Sequence, residues 1–213
     1  SVEYVFLTHS HLDHVVDIPF LIDTFYAIKT KPLIIYGLAE TLESLKENIL
    51  NWKVWPDFSE LDLINKSGKS IIFTEIDFGD VFEISGLTIE PIKTCHTIAS
   101  CGYKITKDGR TTIITSDTGP CDEVVRVVKE TKNLKNLVIE CAFPSRFKKL
   151  AHDSMHLTPL LLEEELKKIG RTDLKIFINH LKPFYEAEIR SELSAIPLLG
   201  SAEVLEDGYK IPY

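Results

Sequence analysis

No lysine- or arginine-rich run of any length occurs in this chain, and its formal net charge is −8. A protein that grips long nucleic acid needs a basic face to neutralise phosphates, so that class is disfavoured. One small anionic ligand held by a metal is not. The short Lys29-Thr-Lys31, Lys148-Lys149 and Lys167-Lys168 spots read as solvated helix or loop faces. No apolar stretch approaches the length that spans a bilayer, which excludes a transmembrane helix and gives no reason to expect a membrane partner. Cys-x-x-Cys spacing is also missing. The four cysteines, Cys95, Cys101, Cys121 and Cys141, lie beside or within apolar segments. They read as reduced core thiols of a cytoplasmic protein rather than as a disulfide or a metal-thiolate site. Repeats, low-complexity tracts and linkers are absent too. At 44% hydrophobic and 26% charged, residues 1–213 therefore read as a single domain with an ordinary core.

What the chain does have is a concentration of histidine. Of seven histidines, three stand in His9-Ser-His11-Leu-Asp13-His14, together with a carboxylate. Neutral imidazole and carboxylate are the donors that a divalent metal of borderline softness prefers. The turn follows an apolar run, Tyr4–Leu7, and precedes a second, Val15–Ala27, so it joins two buried elements.

Hydrophobic periodicity gives the order of elements. Val2–Leu7 reads as a buried strand, and Val15–Ile28 as a helix with Val15, Ile18, Leu21, Ile22, Phe25 and Tyr26 on one stripe. A short strand, Leu33–Tyr36, and a helix, Ala39–Leu50, follow. Residues 51–64 are irregular and hold Trp52, Trp55 and Phe58, which suit loop packing better than purine stacking. Strands are expected at Ser70–Ile76, Val81–Ile84, Leu87–Thr94, Gly102–Thr106 and Thr111–Ser116, with Asp108-Gly109 as a two-residue hairpin turn. The pattern then alternates: helix Cys121–Lys132, strand Leu137–Cys141, helix Thr158–Ile169, strand Leu174–Asn179, helix Glu186–Ile196, strand Ala202–Leu205. Thr158-Pro159 supplies an N-cap and a proline at the first helical position. Strands first, then alternation, suggests an α/β fold of two sheets covered by helices, a four-layer αββα sandwich.

Three more potential ligands close apolar strands. His96 follows Leu87–Cys95, Asp117 follows Thr111–Ser116, and His180 follows Leu174–Asn179. Strand ends are where α/β sheets present functional side chains. Alternation along the strand would turn Cys95 away from a site that His96 faces.

This order, a His-x-His-x-Asp-His turn and then His, Asp and His at later strand ends, resembles the metallo-β-lactamase superfamily. The resemblance runs from residue 2 to the end of the chain. It implies that His9, His11 and His96 hold one metal, that Asp13, His14 and His180 hold a second, and that Asp117 bridges them. Such folds begin with several strands before the histidine turn, whereas here the turn starts at residue 9. The expectation is a sandwich without its N-terminal strands in this chain, cut from a longer polypeptide whose targeting sequence is not visible.

Three segments are similar to those of class II cyclic-nucleotide phosphodiesterases: Thr115-Ser116-Asp117-Thr118-Gly119-Pro120, His156-Leu157-Thr158-Pro159 and Asn179-His180-Leu181-Lys182-Pro183. Asn179 departs from the usual Thr. Ile139-Glu140-Cys141-Ala142-Phe143 also looks like a strand of that family. The resemblance implies hydrolysis of 3′,5′-cyclic nucleotides, with cyclic AMP the first choice, by a hydroxide bridging two divalent ions. Zn²⁺ suits histidine-rich ligation, and Mn²⁺ or Fe²⁺ would satisfy the same groups. The leaving oxygen needs a proton, for which His156 is the first candidate and His152 the second. Asp13 could accept the proton of the bridging water. The alternatives are a tRNA 3′-processing endonuclease, an ester or thioester hydrolase, and a non-catalytic binding module on the same fold. The expected partner is a small cyclic nucleotide; a homodimer is compatible with the sequence, which does not fix the oligomeric state.

Overall fold

The computed structural model describes residues 2–212. The chain divides into two compact units: residues up to Asp77 with Ile98–Ser100, and Phe78–Thr97 with the remainder from Cys101.

The first unit is built on a parallel sheet of β1 (Tyr4–Phe6), β2 (Leu33–Gly37) and β3 (Ile71–Glu75), in that order, with Tyr4 opposite Ile34 and Leu33 opposite Ile71. Parallel neighbours require a crossover. The first carries α1 (Leu12–Val15) and α2 (Asp17–Phe25), and the second opens with α3 (Ala39–Asn48). The expected single helix over 15–28 is thus broken near its start. Pro19 has no N–H to give to the carbonyl of Val15, so the helix restarts after Val16. The predicted stripe still buries Val15, Ile18 and Ile22, which pack with Leu33, Ile35, Leu42, Leu45 and Ile71.

Among the described residues the second unit has seven strands: β4 (Phe82–Ile84), β5 (Leu87–Lys93), β6 (Cys101–Lys107), β7 (Arg110–Ile114), β8 (Leu134–Glu140), β9 (Lys175–Asn179) and β10 (Glu203–Val204). Their order is β10-β9-β8-β7-β6-β5-β4; pairing is antiparallel from β4 to β7 and parallel from β7 to β10. Asp108 and Gly109 have φ of 49° and 74°, the positive values that a tight hairpin demands. Gly102 is obligatory, because a Cβ there would stand 2.4 Å from the carbonyl oxygen of Ile114 on the paired strand. Helices α4 (Asp122–Glu130), α5 (Lys148–Asp153), α6 (Pro159–Ile169) and α7 (Glu186–Ala195) complete the unit. The hydroxyl of Thr158 accepts from Leu161 N–H at 3.3 Å, as the predicted Thr-Pro start requires, and Gly170 closes α6 at φ 66°.

The sequence reading contained no α5. Only Ala151 of its six residues is buried, so no apolar stripe marks it. A second correction concerns the cysteines. Cys101 and Cys141 are buried thiols, as expected, and burial pushes Cys101 up to about 11 and Cys141 higher still. Cys95 and Cys121, however, form a disulfide with Cα atoms 5.5 Å apart. Their spacing of 26 residues carries no signal; the loops after β5 and β7 bring them together. Gly119 N–H donates to the Cys95 carbonyl at 2.7 Å, and Cys95 N–H donates to the Thr118 hydroxyl at 3.2 Å. The inference of a cytoplasmic location rested on four free thiols and loses that support. Among the described residues no helix is long and apolar enough to cross a membrane.

Candidate metal centre

In the first unit, β1 delivers the chain to the histidine turn. Leu7 N–H donates to the Tyr36 carbonyl at 2.8 Å, extending the sheet one residue beyond β1, and His14 N–H donates to the His11 carbonyl at 2.9 Å, opening α1. Between these two anchors the imidazoles crowd together. His9 is buried, with its Nδ1 3.1 Å from the Thr8 hydroxyl and its Nε2 3.2 Å from His11 Nδ1. The His14 ring lies 4.1 Å from that of His9, and His14 Nε2 is 3.9 Å from the Asp13 carboxylate. A run of six residues therefore places three rings and a carboxylate at one end of the sheet.

The second unit gathers its polar groups by topology. Because β5 pairs antiparallel with β6 and β6 antiparallel with β7, strands β5, β7, β8 and β9 all run the same way. Their C-terminal ends share one edge, and His96, Asp117, Glu140 and His180 lie at those ends. His96 Nδ1 is 3.1 Å from the Met155 carbonyl. That oxygen can only accept, so Nδ1 carries the proton and Nε2 keeps a lone pair. This Nε2 lies 3.9 Å from Asp117 Oδ2, and His180 Nε2 lies 3.2 Å from the same oxygen. Ser116, Met155 and His180 all adopt positive φ, which turns the chain sharply beside each donor. Gly119 makes the close approach possible, since a Cβ there would stand 3.2 Å from Met155 Cα.

His156 sits beside this group. Its ring lies 5.0 Å from that of His96, edge to face, and 5.3 Å from that of His180 at 21°. Donor atoms of Asp117, His156 and His180 all fall within 4.8 Å of one another. His156 Nδ1 is 2.6 Å from Glu140 Oε1, and both residues are buried. The carboxylate also accepts from Thr118 N–H at 2.9 Å and Leu157 N–H at 3.1 Å. Burial pushes the Glu140 carboxyl above its ordinary value, while the His156 hydrogen bond pulls it down. The C-terminus of α5 fixes His156 from the other side, the Ala151 carbonyl accepting from its N–H at 2.8 Å.

Not every predicted residue joins. His152 is exposed on α5, 3.7 Å from Asp153, and belongs to no metal-capable grouping among the described residues. Trp52 is exposed and donates to Glu60, Trp55 packs edge-on against Phe20, and Phe58 is buried against Tyr26. These contacts are those of a packed loop. Arg146, Lys148 and Lys149 pair with Glu188, Glu164 and Asp153. Glu140 and Thr118 join this cluster although the sequence, which shows them only within family-like segments, assigns them no role. The signal for Glu140 was present: it is the one charge between Leu137 and Phe143.

Imidazole nitrogens with a fixed lone pair, placed against a carboxylate oxygen, fit a divalent cation of the zinc type. The model for class-II cAMP phosphodiesterases matches residues 1–188. The chain belongs to this family. It is 29% identical over 206 residues to a 3′,5′-cyclic-nucleotide phosphodiesterase of Aliivibrio fischeri, an alignment covering 83% of the chain. The chain spans 58% of the length of that relative. Among solved structures, unliganded yeast PDE1 superposes with a TM-score of 0.76 at 20% identity, covering 94% of this chain and 65% of that one. The metallo-beta-lactamase fold protein YhfI of Bacillus subtilis gives 0.74 at 19%, covering 97% and 76%. At that identity the likeness shows the fold alone, and the fold is the metallo-β-lactamase one expected.

Proposed function

We propose that this chain carries the catalytic centre of a 3′,5′-cyclic-nucleotide phosphodiesterase that uses two divalent ions, with cyclic AMP as the first substrate to test. On this reading His9, His11 and His96 hold one ion, Asp13, His14 and His180 the other, and Asp117 both. Imidazole nitrogens and carboxylate oxygens are the donors that such ions prefer, which supports it. Bound cations of this kind supply Lewis acidity toward a phosphoryl oxygen and acidify a water toward neutral pH. The protein's own part is proton management. Glu140 holds the proton of His156 at Nδ1, which leaves Nε2 to carry a second proton in the imidazolium form. As water oxygen bonds to phosphorus and the bond to O3′ breaks, His156 Nε2–H protonates O3′ and the product is the 5′-nucleotide. Asp13, half exposed beside His14, is the group suited to accept the proton of the attacking water.

The observation that carries this reading is the buried Glu140–His156 pair at 2.6 Å next to Asp117 and His180. A buried carboxylate that orients an imidazole beside a ligand set is an arrangement suited to a general acid. The test is metal content together with turnover of cyclic AMP, cyclic GMP, bis(p-nitrophenyl) phosphate and a precursor tRNA. Two equivalents of metal and cyclic-nucleotide opening are expected. Cleavage of the chromogenic diester or the tRNA without any action on cyclic nucleotides would refute the assignment of substrate.

A further inference from the structure

We infer that Lys182 is a phosphate-binding residue, its ammonium taking a non-bridging oxygen of a phosphate ester held at the His180 edge of the site. The inference rests on the phosphodiesterase reading for the presence of a phosphate there, but the ligand chemistry it names is any phosphate mono- or diester.

Lys182 Nζ lies 3.2 Å from His180 Nε2, and that nitrogen lies 3.2 Å from Asp117 Oδ2. The ammonium therefore stands at the ligand cluster itself, two residues beyond the strand end that supplies His180. Its position is fixed by the backbone. Lys182 N–H donates to the Ala142 carbonyl at 3.2 Å, its own carbonyl accepts from Tyr185 N–H at 2.9 Å, and Pro183 stiffens the next step. Lys148, Lys149 and Lys168 of the same unit each pair with a carboxylate. Lys182 pairs with none among the described residues, its side-chain partner being the imidazole.

That partner is lost in the working state. The single lone pair on His180 Nε2 cannot serve a cation and an ammonium at once. Metal at His180 would leave two positive groups side by side, and like charges repel unless an anion lies between them. A phosphate oxygen is the anion the site is built to receive. An ammonium serves as a point charge toward a tetrahedral oxyanion without demanding the flat, two-point fit of a guanidinium. The nucleobase plays no part in this contact.

The test uses the whole chain, loaded with metal and its metal content counted, with inorganic phosphate as the calorimetric probe and adenosine as a phosphate-free control. Lys182→Gln should bind metal like the parent and weaken phosphate about 10- to 100-fold, the worth of one hydrogen bond to a charged group. Lys182→Arg should recover most of that loss, and adenosine binding should not change. Unaltered phosphate affinity in Lys182→Gln would overturn the inference, and so would loss of metal, which would make Lys182 a support for His180. A parent protein that binds phosphate through Lys182 yet opens no cyclic nucleotide leaves the inference standing and removes the phosphodiesterase reading. A metal-loaded parent that binds no phosphate removes the inference.

Discussion

Replacing Glu140 by Gln changes one atom and breaks an arrangement that only a carboxylate satisfies. The two oxygens accept three hydrogen bonds: Oε1 from Thr118 N–H and His156 Nδ1, Oε2 from Leu157 N–H. A glutamine has one oxygen. If it faces Thr118 and His156, its amide N–H₂ meets the Leu157 N–H, donor against donor. If it is flipped, Thr118 N–H is orphaned and His156 must surrender the proton at Nδ1. The side chain is fully buried, so no water relieves either arrangement. One orphaned buried N–H costs about 1–3 kcal/mol, and that is the expected loss of unfolding free energy in urea.

Activity should fall further than stability. On the proposed mechanism the imidazolium of His156 would lose its counter-charge without the carboxylate, and the proton for the leaving oxygen would go with it. Loss of a general acid costs about 10²–10⁴ in rate, roughly 3–5 kcal/mol on the barrier. The decisive measurement is a double-mutant cycle on kcat with metal content held equal. If the pair acts as a unit, Glu140→Gln should cost little in a His156→Ala background. A Glu140→Gln protein with parental kcat, and stability within about 0.5 kcal/mol, the scatter of featureless surface positions, would refute the role given to both residues.

Two further outcomes follow from other parts of the second unit. Closing a loop of 26 residues with the Cys95–Cys121 bond should contribute about 3.5 kcal/mol by the chain-entropy model; the urea midpoint should drop on adding dithiothreitol and be insensitive to it in Cys95→Ser/Cys121→Ser, and a midpoint that ignores reductant in the parent would show four free thiols. Arg171 donates to the carbonyls of Val128 and Thr131 at the end of α4 and to Leu134 at the start of β8, and it holds the Asp173 carboxyl down at about 2. A carboxyl held below its unfolded value adds stability that is present above the ordinary carboxylate range and lost as pH falls toward about 2. Arg171→Gln should therefore return Asp173 to the ordinary range in an NMR titration and flatten this acid limb; an unshifted Asp173 would contradict the pairing.

Strand ends were legible because the signals are local. A buried strand needs apolar residues, so the polar residues that follow it mark the end of the strand and the edge of the sheet, as near His96, Asp117 and His180. The hairpin at Asp108-Gly109 and the cap at Thr158 are likewise written in adjacent residues. What escaped was set by strand order. Glu140 could be seen as a lone carboxylate in an apolar run, but its partner becomes evident only once β8 lies between β7 and β9, so that Thr118 comes from one side and His156 from the loop beyond α5. The same order explains the error over the cysteines. Alternation along a strand would turn Cys95 away from His96, but β5 ends at Lys93 and alternation does not extend into the loop. What Cys95 meets is Cys121, carried there by the loop that also presents Asp117. The disulfide therefore joins the two loops that hold a nitrogen and an oxygen donor of one cluster. A pair of residues read as inert filling is thus placed to hold the His96–Asp117 spacing, and reduction should loosen metal affinity as well as the fold.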